Sequence, residues 1–170
     1  MIDAAIQVAQ MHYERYKAAF PLAANMVQQI CNDYNLIIDE FPMENQRFTG
    51  MLWNDDGQYT ILLNPSLPRT RRLFTLTHEL GHYLMHRWYQ PAFFCTRING
   101  QAFDLKERQA NVFAAELLMP LEKIQKLARA GFDIKKAAAF MGVSEQALQY
   151  RVKELRARQK KNKELKVVMD

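Results

Sequence analysis

Residues 74–86 read FTLTHELGHYLMH and contain the motif His78-Glu79-Leu80-Gly81-His82. On an α-helix, two histidines four residues apart share one face and lie about 6 Å apart along the axis, so both can reach one metal ion. Glu79 follows the first histidine, which places its carboxylate beside the metal, where it can take a proton from a water molecule. The motif therefore predicts a helix that carries a catalytic zinc site.

Gly81 lies inside this predicted helix, where glycine costs about 1 kcal/mol relative to alanine. A small residue at this position would let another element pass close to the helix. The alternative interpretation is an ordinary surface helix whose histidines have no function, and such a helix has little reason to contain the glycine.

A catalytic zinc site needs a third protein ligand and one open position. His86 is one turn beyond His82, and its Cα lies about 12 Å from that of His78, so the three histidines cannot all meet one ion. We interpret His86 as a packed or solvated histidine near a helix end. His12 lies on an apolar face of the first predicted helix and is interpreted as a core or surface histidine.

The predicted helix 104–119 offers Glu107 and Glu116 as the third ligand. They are nine residues apart and point to opposite sides of the helix, so only one of them can face the metal. Glu107 shares its face with Asn111, whose amide could orient a ligand carboxylate or bond to neighbouring backbone. Glu107 also fits a capping box that begins at Asp104, so spacing alone leaves its role open.

Composition and charge exclude several classes of protein. The chain has 170 residues and a formal charge of +5, with eight basic and three acidic residues in 151–170 and 15 of each sign in 1–150. The basic character therefore belongs to the end of the chain and not to a basic domain.

Two cysteines without a CxxC pair exclude a disulfide framework or a zinc finger and favour the cytoplasm. No apolar run of 18 residues exists, so we expect no membrane partner.

The pattern of apolar residues predicts helices, then short strands, then more helices. The helices are 4–18 and 22–34, the strands 36–38, 48–53 and 59–63, and the later helices 70–87, 104–119, 120–130, 133–141 and 144–160. This grouping predicts an α+β domain with a small three-stranded, mainly antiparallel sheet.

Two details of the predicted sheet concern substrate binding. Asp55-Asp56-Gly57 predicts a hairpin between the last two strands, and either strand could present an edge to a peptide. Residues 88–103 are predicted as a loop containing Trp88, Tyr89, Phe93 and Phe94, which either forms a subsite wall or lid or fills a local core.

Residues 133–156 have the pattern of a helix-turn-helix, in which Gly142 makes the turn and Ser144 caps the second helix. This pattern favours either a DNA-binding element, supported by the basic residues that follow, or a helix pair that packs on the core and helps to present substrate. We expect three parts: a core over 1–131, a helix-turn-helix-like subdomain packed on it over 132–157, and a basic tail over 158–170 that could make a weak DNA contact.

Two blocks of sequence together resemble the ImmA/IrrE family of metallo-endopeptidases. They are residues 74–86, quoted above, and residues 107–120, which read ERQANVFAAELLMP. The resemblance covers roughly residues 22–155 and implies a zincin-like core.

The same resemblance implies the roles of individual residues. In this family the two histidines of the motif and the glutamate of an ExxxN segment hold the zinc. The matching positions here are His78, His82 and Glu107, which the resemblance implies as ligands of one catalytic zinc ion. Glu79 is implied as the catalytic acid and base, and Glu116 is not implied as a ligand.

The implied function is an endopeptidase that cleaves a specific regulatory protein. The family suggests a helix-turn-helix transcriptional repressor of a phage, a mobile element or a stress response as that protein. The alternative is a transcriptional regulator, or a DNA- or protein-binding module, that has a zinc site and little proteolytic activity.

Overall fold

The computed structural model describes residues 2–42, 48–88, 92–96 and 105–169. Strands occur early and helices predominate later, which confirms the predicted α+β class. In chain order the elements are α1 (Ile2–Tyr16), α2 (Ala23–Asp33), β1 (Ile37–Glu40), β2 (Phe48–Asp55), β3 (Gln58–Leu63), α3 (Arg69–His86), β4 (Ala92–Thr96), α4 (Leu105–Leu118), α5 (Leu121–Arg129), α6 (Ile134–Met141) and α7 (Glu145–Met169).

A two-residue turn joins β2 to β3 as an antiparallel hairpin. Asp56 and Gly57 have φ angles of 44° and 93°, the left-handed pair that matches the twist of a hairpin. The Gly57 N–H donates to the Asn54 side-chain oxygen at 2.9 Å, which closes the turn. The predicted hairpin is therefore confirmed.

The strands described form one sheet in the order β1-β3-β2-β4. β1 runs parallel to β3, and the other two pairings are antiparallel. The three predicted strands are present, and β4 adds a fourth inside the segment predicted as a loop. That segment is rich in aromatic residues that suit a strand, but its pairing with β2 is not visible in local sequence. The rest of the segment after Trp88 lies outside the described residues.

This strand order overturns one expectation about substrate binding. β2 and β3 each pair on both sides, so neither of them offers a free edge to a peptide. The edges of the described sheet are β1 and β4.

Helix α3 packs against both the sheet and α4, and α1 also packs against α4. The centre of the core is apolar and fully buried, with Leu80 from α3 and Phe113 and Leu117 from α4. Two of the residues that the sheet contributes are Leu52 and Ile61. The motif helix is thus enclosed by tertiary packing and is not a surface helix.

Helices α6 and α7 meet at the predicted turn. Gly142 has a left-handed φ of 72° and ends α6. The Ser144 hydroxyl accepts a hydrogen bond from the Ala147 N–H at 3.1 Å, which confirms it as a cap of α7. α7 then continues to Met169, whereas the sequence predicted an end near residue 160.

Helix α7 has 25 residues and a high content of lysine and arginine. None of the helices in the described part of the chain combines the length and the apolar character needed to cross a membrane. The cytoplasmic location suggested by the cysteine content stays a prediction.

Candidate metal centre

The two motif histidines lie side by side on α3 and are buried, with 2% of His78 and none of His82 exposed. Their Nε2 atoms are 3.0 Å apart. The helical spacing of four residues brings the rings together edge to face, with centroids 4.7 Å apart. Both Nε2 atoms therefore face a common point.

Glu107, in the first turn of α4, completes the group. Its Oε2 lies 3.3 Å from Nε2 of His78, and its Oε1 lies 3.0 Å from Nε2 of His82. The Glu107 side chain keeps 35% of its surface exposed, so the group is buried on one side and reaches solvent on the other. Among the described residues, these three form the group that could hold a metal ion.

The spacing of these atoms fits a metal ion. Ligand atoms about 2.0–2.1 Å from a tetrahedral zinc lie about 3.3 Å from one another, close to the observed 3.0–3.3 Å. Two imidazole nitrogens and a carboxylate are electron-pair donors that repel one another unless a cation or protons lie between them. Three protein ligands also leave a fourth position for water or substrate.

The protonation states suit metal binding as well. Burial lowers the pKa of His82, and the nearby Glu107 only partly offsets this effect. Burial would raise the pKa of Glu107, but its contacts with His78 and His82 outweigh burial and hold it below the ordinary value. A neutral imidazole and an ionised carboxylate are the forms that bind metals.

Glu79 is completely buried on α3, next to His78 in sequence. The structure therefore places the predicted acid and base in the same buried turn as the first predicted ligand. Glu116 lies on the other side of α4, where it pairs with Arg151 and Arg158 of α7, as its spacing from Glu107 requires.

Close contact between α3 and α4 allows Glu107 to reach the two histidines. Gly81 faces α4, and a Cβ built on it would lie 3.3 Å from the Ala110 Cα. This confirms the expected close approach of another element at Gly81. The approach brings Glu107 to the histidines.

The outer nitrogens of the two histidines bond to further side chains. Nδ1 of His78 lies 3.1 Å from the Asn111 amide oxygen, so Asn111 contacts a histidine and not the Glu107 carboxylate. Nδ1 of His82 lies 3.1 Å from Nδ1 of His86, whose Nε2 lies 3.0 Å from the Gln109 amide oxygen.

Sequence reasoning missed the contacts of His86 and Gln109. The sequence leaves open whether His86 is packed or solvated, and the structure shows it buried with 4% exposed. The available signal was its spacing of four residues from His82, which places the two on one face of α3. The position of Gln109, two residues after Glu107, carried no such signal.

Two other side chains, those of His12 and Tyr83, do not belong to the group. His12 is buried on α1, with Nδ1 bonded to the Val8 carbonyl at 2.8 Å and Nε2 3.1 Å from the Tyr34 hydroxyl, which confirms a core role. The ring of Tyr83 packs against those of Tyr34 and Tyr59.

Comparisons with known proteins agree with this geometry. The peptidase family described as the IrrE N-terminal-like domain matches residues 31–153, a range that includes α3 and α4. Metallopeptidase ImmA of Bacillus subtilis (strain 168) is 27% identical over 137 residues, 77% of each chain. Uncharacterized immunity region protein 2 of Bacillus phage phi105 is 32% identical over 83 residues, 49% of this chain and 52% of that relative. Because the family match covers most of the chain, the protein belongs to the IrrE N-terminal-like family of peptidases and is a metallopeptidase.

Proposed function

We propose that this protein is a zinc-dependent endopeptidase that cleaves a specific regulatory protein. The observation that carries the proposal is the meeting of His78, His82 and Glu107 within 3.0–3.3 Å, with Glu79 buried in the same turn. In this proposal the first three residues hold one zinc ion. Zinc is preferred because two imidazoles and one carboxylate in a set of three ligands are typical of catalytic zinc sites.

The chain supplies the proton transfers of the reaction. A zinc ion in the site would polarise the peptide carbonyl and lower the pKa of water to about 7. Glu79 takes the proton of the attacking water and passes it to the leaving amine. Burial suits this role because it keeps bulk water away from the carboxylate.

The sheet edge beside α3 is the proposed site of substrate pairing. β4 is an edge strand of the sheet that the described residues form and contacts α3, whereas β2 and β3 are internal. An extended peptide can add to such an edge through main-chain hydrogen bonds. A substrate paired with β4 would therefore run beside the helix that carries the proposed metal ligands.

We infer that the substrate is a helix-turn-helix repressor of a phage, a mobile element or a stress response. The phage relative that is named an immunity region protein supports this setting. In this proposal residues 1–131 carry out catalysis, and the helix-turn-helix-like part, residues 132–157, presents the substrate. Residues 158–170 then provide a basic extension along α7.

The first prediction concerns Glu79→Gln. The variant should retain one equivalent of zinc, measured by metal analysis after dialysis, because the amide leaves the three proposed ligands in place. It should cleave the proposed repressor substrate at least about 100-fold more slowly than the wild type does, because the proton acceptor is lost.

Two comparisons sharpen this experiment. Asp3→Asn changes an exposed carboxylate on α1 in the same way and should keep full cleavage. His78→Ala should lose both zinc and cleavage. Full cleavage by the Glu79→Gln variant contradicts the proposed mechanism.

A second candidate function is a transcriptional regulator that has the metal site and little proteolytic activity. The observation that favours it is the capped α6-turn-α7 arrangement with Gly142 and Ser144 in the expected places. If the zinc-loaded protein leaves the repressor uncut while it binds operator DNA specifically, this candidate replaces the endopeptidase.

A further inference from the structure

His86 lies one turn beyond His82 on α3 and is linked to it. The two rings have centroids 5.2 Å apart, and their Nδ1 atoms are 3.1 Å apart. The other nitrogen of His86, Nε2, is 3.0 Å from the amide oxygen of Gln109 on α4. Three side chains thus form one chain of hydrogen bonds that starts at a proposed metal ligand and crosses to the neighbouring helix.

With a neutral His86, these hydrogen-bond partners give a consistent placement of protons along this chain. The Gln109 oxygen can only accept, so Nε2 of His86 carries the proton. Nδ1 of a neutral His86 is then an acceptor, and it receives the Nδ1–H of His82. His82 is therefore left with a lone pair on Nε2, the atom that faces Glu107.

This placement matters because a histidine with its proton on Nε2 cannot bind a metal through that atom. It also explains why His86 is not itself a ligand, since both of its nitrogens are engaged elsewhere. His78 has a corresponding acceptor in Asn111. Helix α4 thus supplies Glu107 and, two and four residues later, the amides at the ends of both outer hydrogen-bond paths.

We propose that His86 and Gln109 are positioning residues that hold the ring of His82 in the orientation and tautomer required for metal binding. The inference rests on the proposed metal site and goes beyond it, since it assigns a role to a buried histidine outside the ligand set. Outer partners of this kind fix the direction of a ligand lone pair and raise the basicity of the ligand.

The first test measures zinc affinity by competition with a chelator in the full-length chain. His86→Leu should raise the Kd for zinc about 10- to 100-fold, the range found when such partners are removed. His86→Asn places an amide oxygen near the position of Nδ1, so it should restore most of the affinity. Gln109→Leu should weaken zinc binding in wild type and have little further effect in the His86→Leu background.

The matched control is His12→Leu, which removes another buried histidine whose ring nitrogens bond to Val8 and Tyr34. It should leave the Kd for zinc unchanged, even if it lowers the melting temperature. Circular dichroism of each variant shows whether it folds. If His86→Leu does not fold, the zinc affinities of His86→Asn and Gln109→Leu test the proposal.

The second test reads the tautomers directly by long-range proton–nitrogen NMR of the zinc-loaded protein. We expect the proton of His86 on Nε2 and that of His82 on Nδ1. A proton on Nδ1 of His86 overturns the inference, as does a folded His86→Leu variant with wild-type zinc affinity. Equal weakening by His86→Leu and His86→Asn also overturns it, because the acceptor atom then has no role.

Failure of the proposed function gives a different result. If wild type binds no zinc, the metal site is refuted and the inference falls with it. If wild type binds one equivalent and the His86 and Gln109 variants match it, only the positioning role is refuted.

Discussion

Gly81 is the residue at which α3 and α4 make close contact. A Cβ at this position would lie 2.9 Å from the Phe113 ring and 3.3 Å from the Ala110 Cα. Phe113 is fully buried, and the second atom belongs to the backbone, so neither can move easily. The glycine lowers helix propensity by about 1 kcal/mol, and in exchange it brings the Glu107 helix within reach of the histidines.

We therefore predict that Gly81→Ala destabilises the protein, although alanine is the better helix former. Overpacking costs about 1–3 kcal/mol against a propensity gain of about 1 kcal/mol, so the expected net loss is about 1 kcal/mol. The same change should weaken zinc binding because it pushes α4 away from α3. Urea unfolding and chelator competition measure the two effects.

Gly131→Ala is the matched control for that variant. Gly131 has a φ of 79°, and no atom lies near the position that a Cβ would take. Alanine there should therefore lower the free energy of unfolding by about 1–2 kcal/mol through backbone strain alone. Its zinc affinity should stay at the wild-type value. Equal zinc affinities for both variants would contradict a role of Gly81 in the metal centre.

At the scale of elements, α4 joins the metal centre to the helix-turn-helix-like part. Glu107 faces α3, while Glu116 on the opposite side of α4 pairs with Arg151 of α7, with 2.5 Å between Oε2 and Nη2. Arg151 is 1% exposed and also donates from Nε to the Met119 carbonyl at 3.3 Å. Arg158 adds a second pair to Glu116 at 2.7 Å. α7 is therefore anchored on the core by a buried ionic network.

Breaking this network should be costly. We predict that Arg151→Met lowers the free energy of unfolding by about 1–3 kcal/mol, because Glu116 loses its most buried partner while Arg158 still pairs with it. Lys153→Met, an exposed change two residues away, should have little effect. Thermal and urea unfolding compare the two variants.

The double variant Arg151→Met with Glu116→Met tests the cause. It removes both buried charges and should be more stable than Arg151→Met alone. If Arg151→Met stays within about 0.5 kcal/mol of wild type, as surface changes do, the network has no anchoring role.

At the scale of the whole molecule, the basic residues at the end of the chain fall into two groups. Arg151 and Arg158 pair with acidic residues of the core and of α7 itself. Lys153 and Arg156 are exposed on the surface of α7. The net charge of the sequence counts the paired arginines and the exposed basic residues equally. The paired arginines, however, contribute little to the binding of an external partner.

We predict that this protein binds duplex DNA weakly and without preference for an operator sequence. Deletion of residues 161–170 should weaken the binding, and the affinity should fall steeply with salt, since the contact is made with phosphates. Cutting after Lys160 is required because an earlier cut at residue 157 would remove Arg158 and disturb the pairing with Glu116. Fluorescence anisotropy against salt measures the effect, and sequence-specific binding that salt does not weaken contradicts the prediction.

Local features of this protein were predictable from the sequence. The meeting of His78 and His82 follows from the helical repeat, the Asp56-Gly57 turn from left-handed φ angles, and the Ser144 cap from hydroxyl chemistry. Each depends on atoms a few residues apart, whose relative positions the backbone geometry sets.

The contacts between distant elements were decided by the tertiary structure. Spacing left Glu107 and Glu116 as alternatives, and the packing of α4 between α3 and α7 gave each its separate partner. The fourth strand and the link from His82 through His86 to Gln109 also join residues far apart in sequence. The sequence by itself determined the motif helix, the turns and the caps, because short-range geometry is nearly independent of context. Tertiary structure alone decided which side chains surround the proposed metal site, because that depends on how whole helices pack.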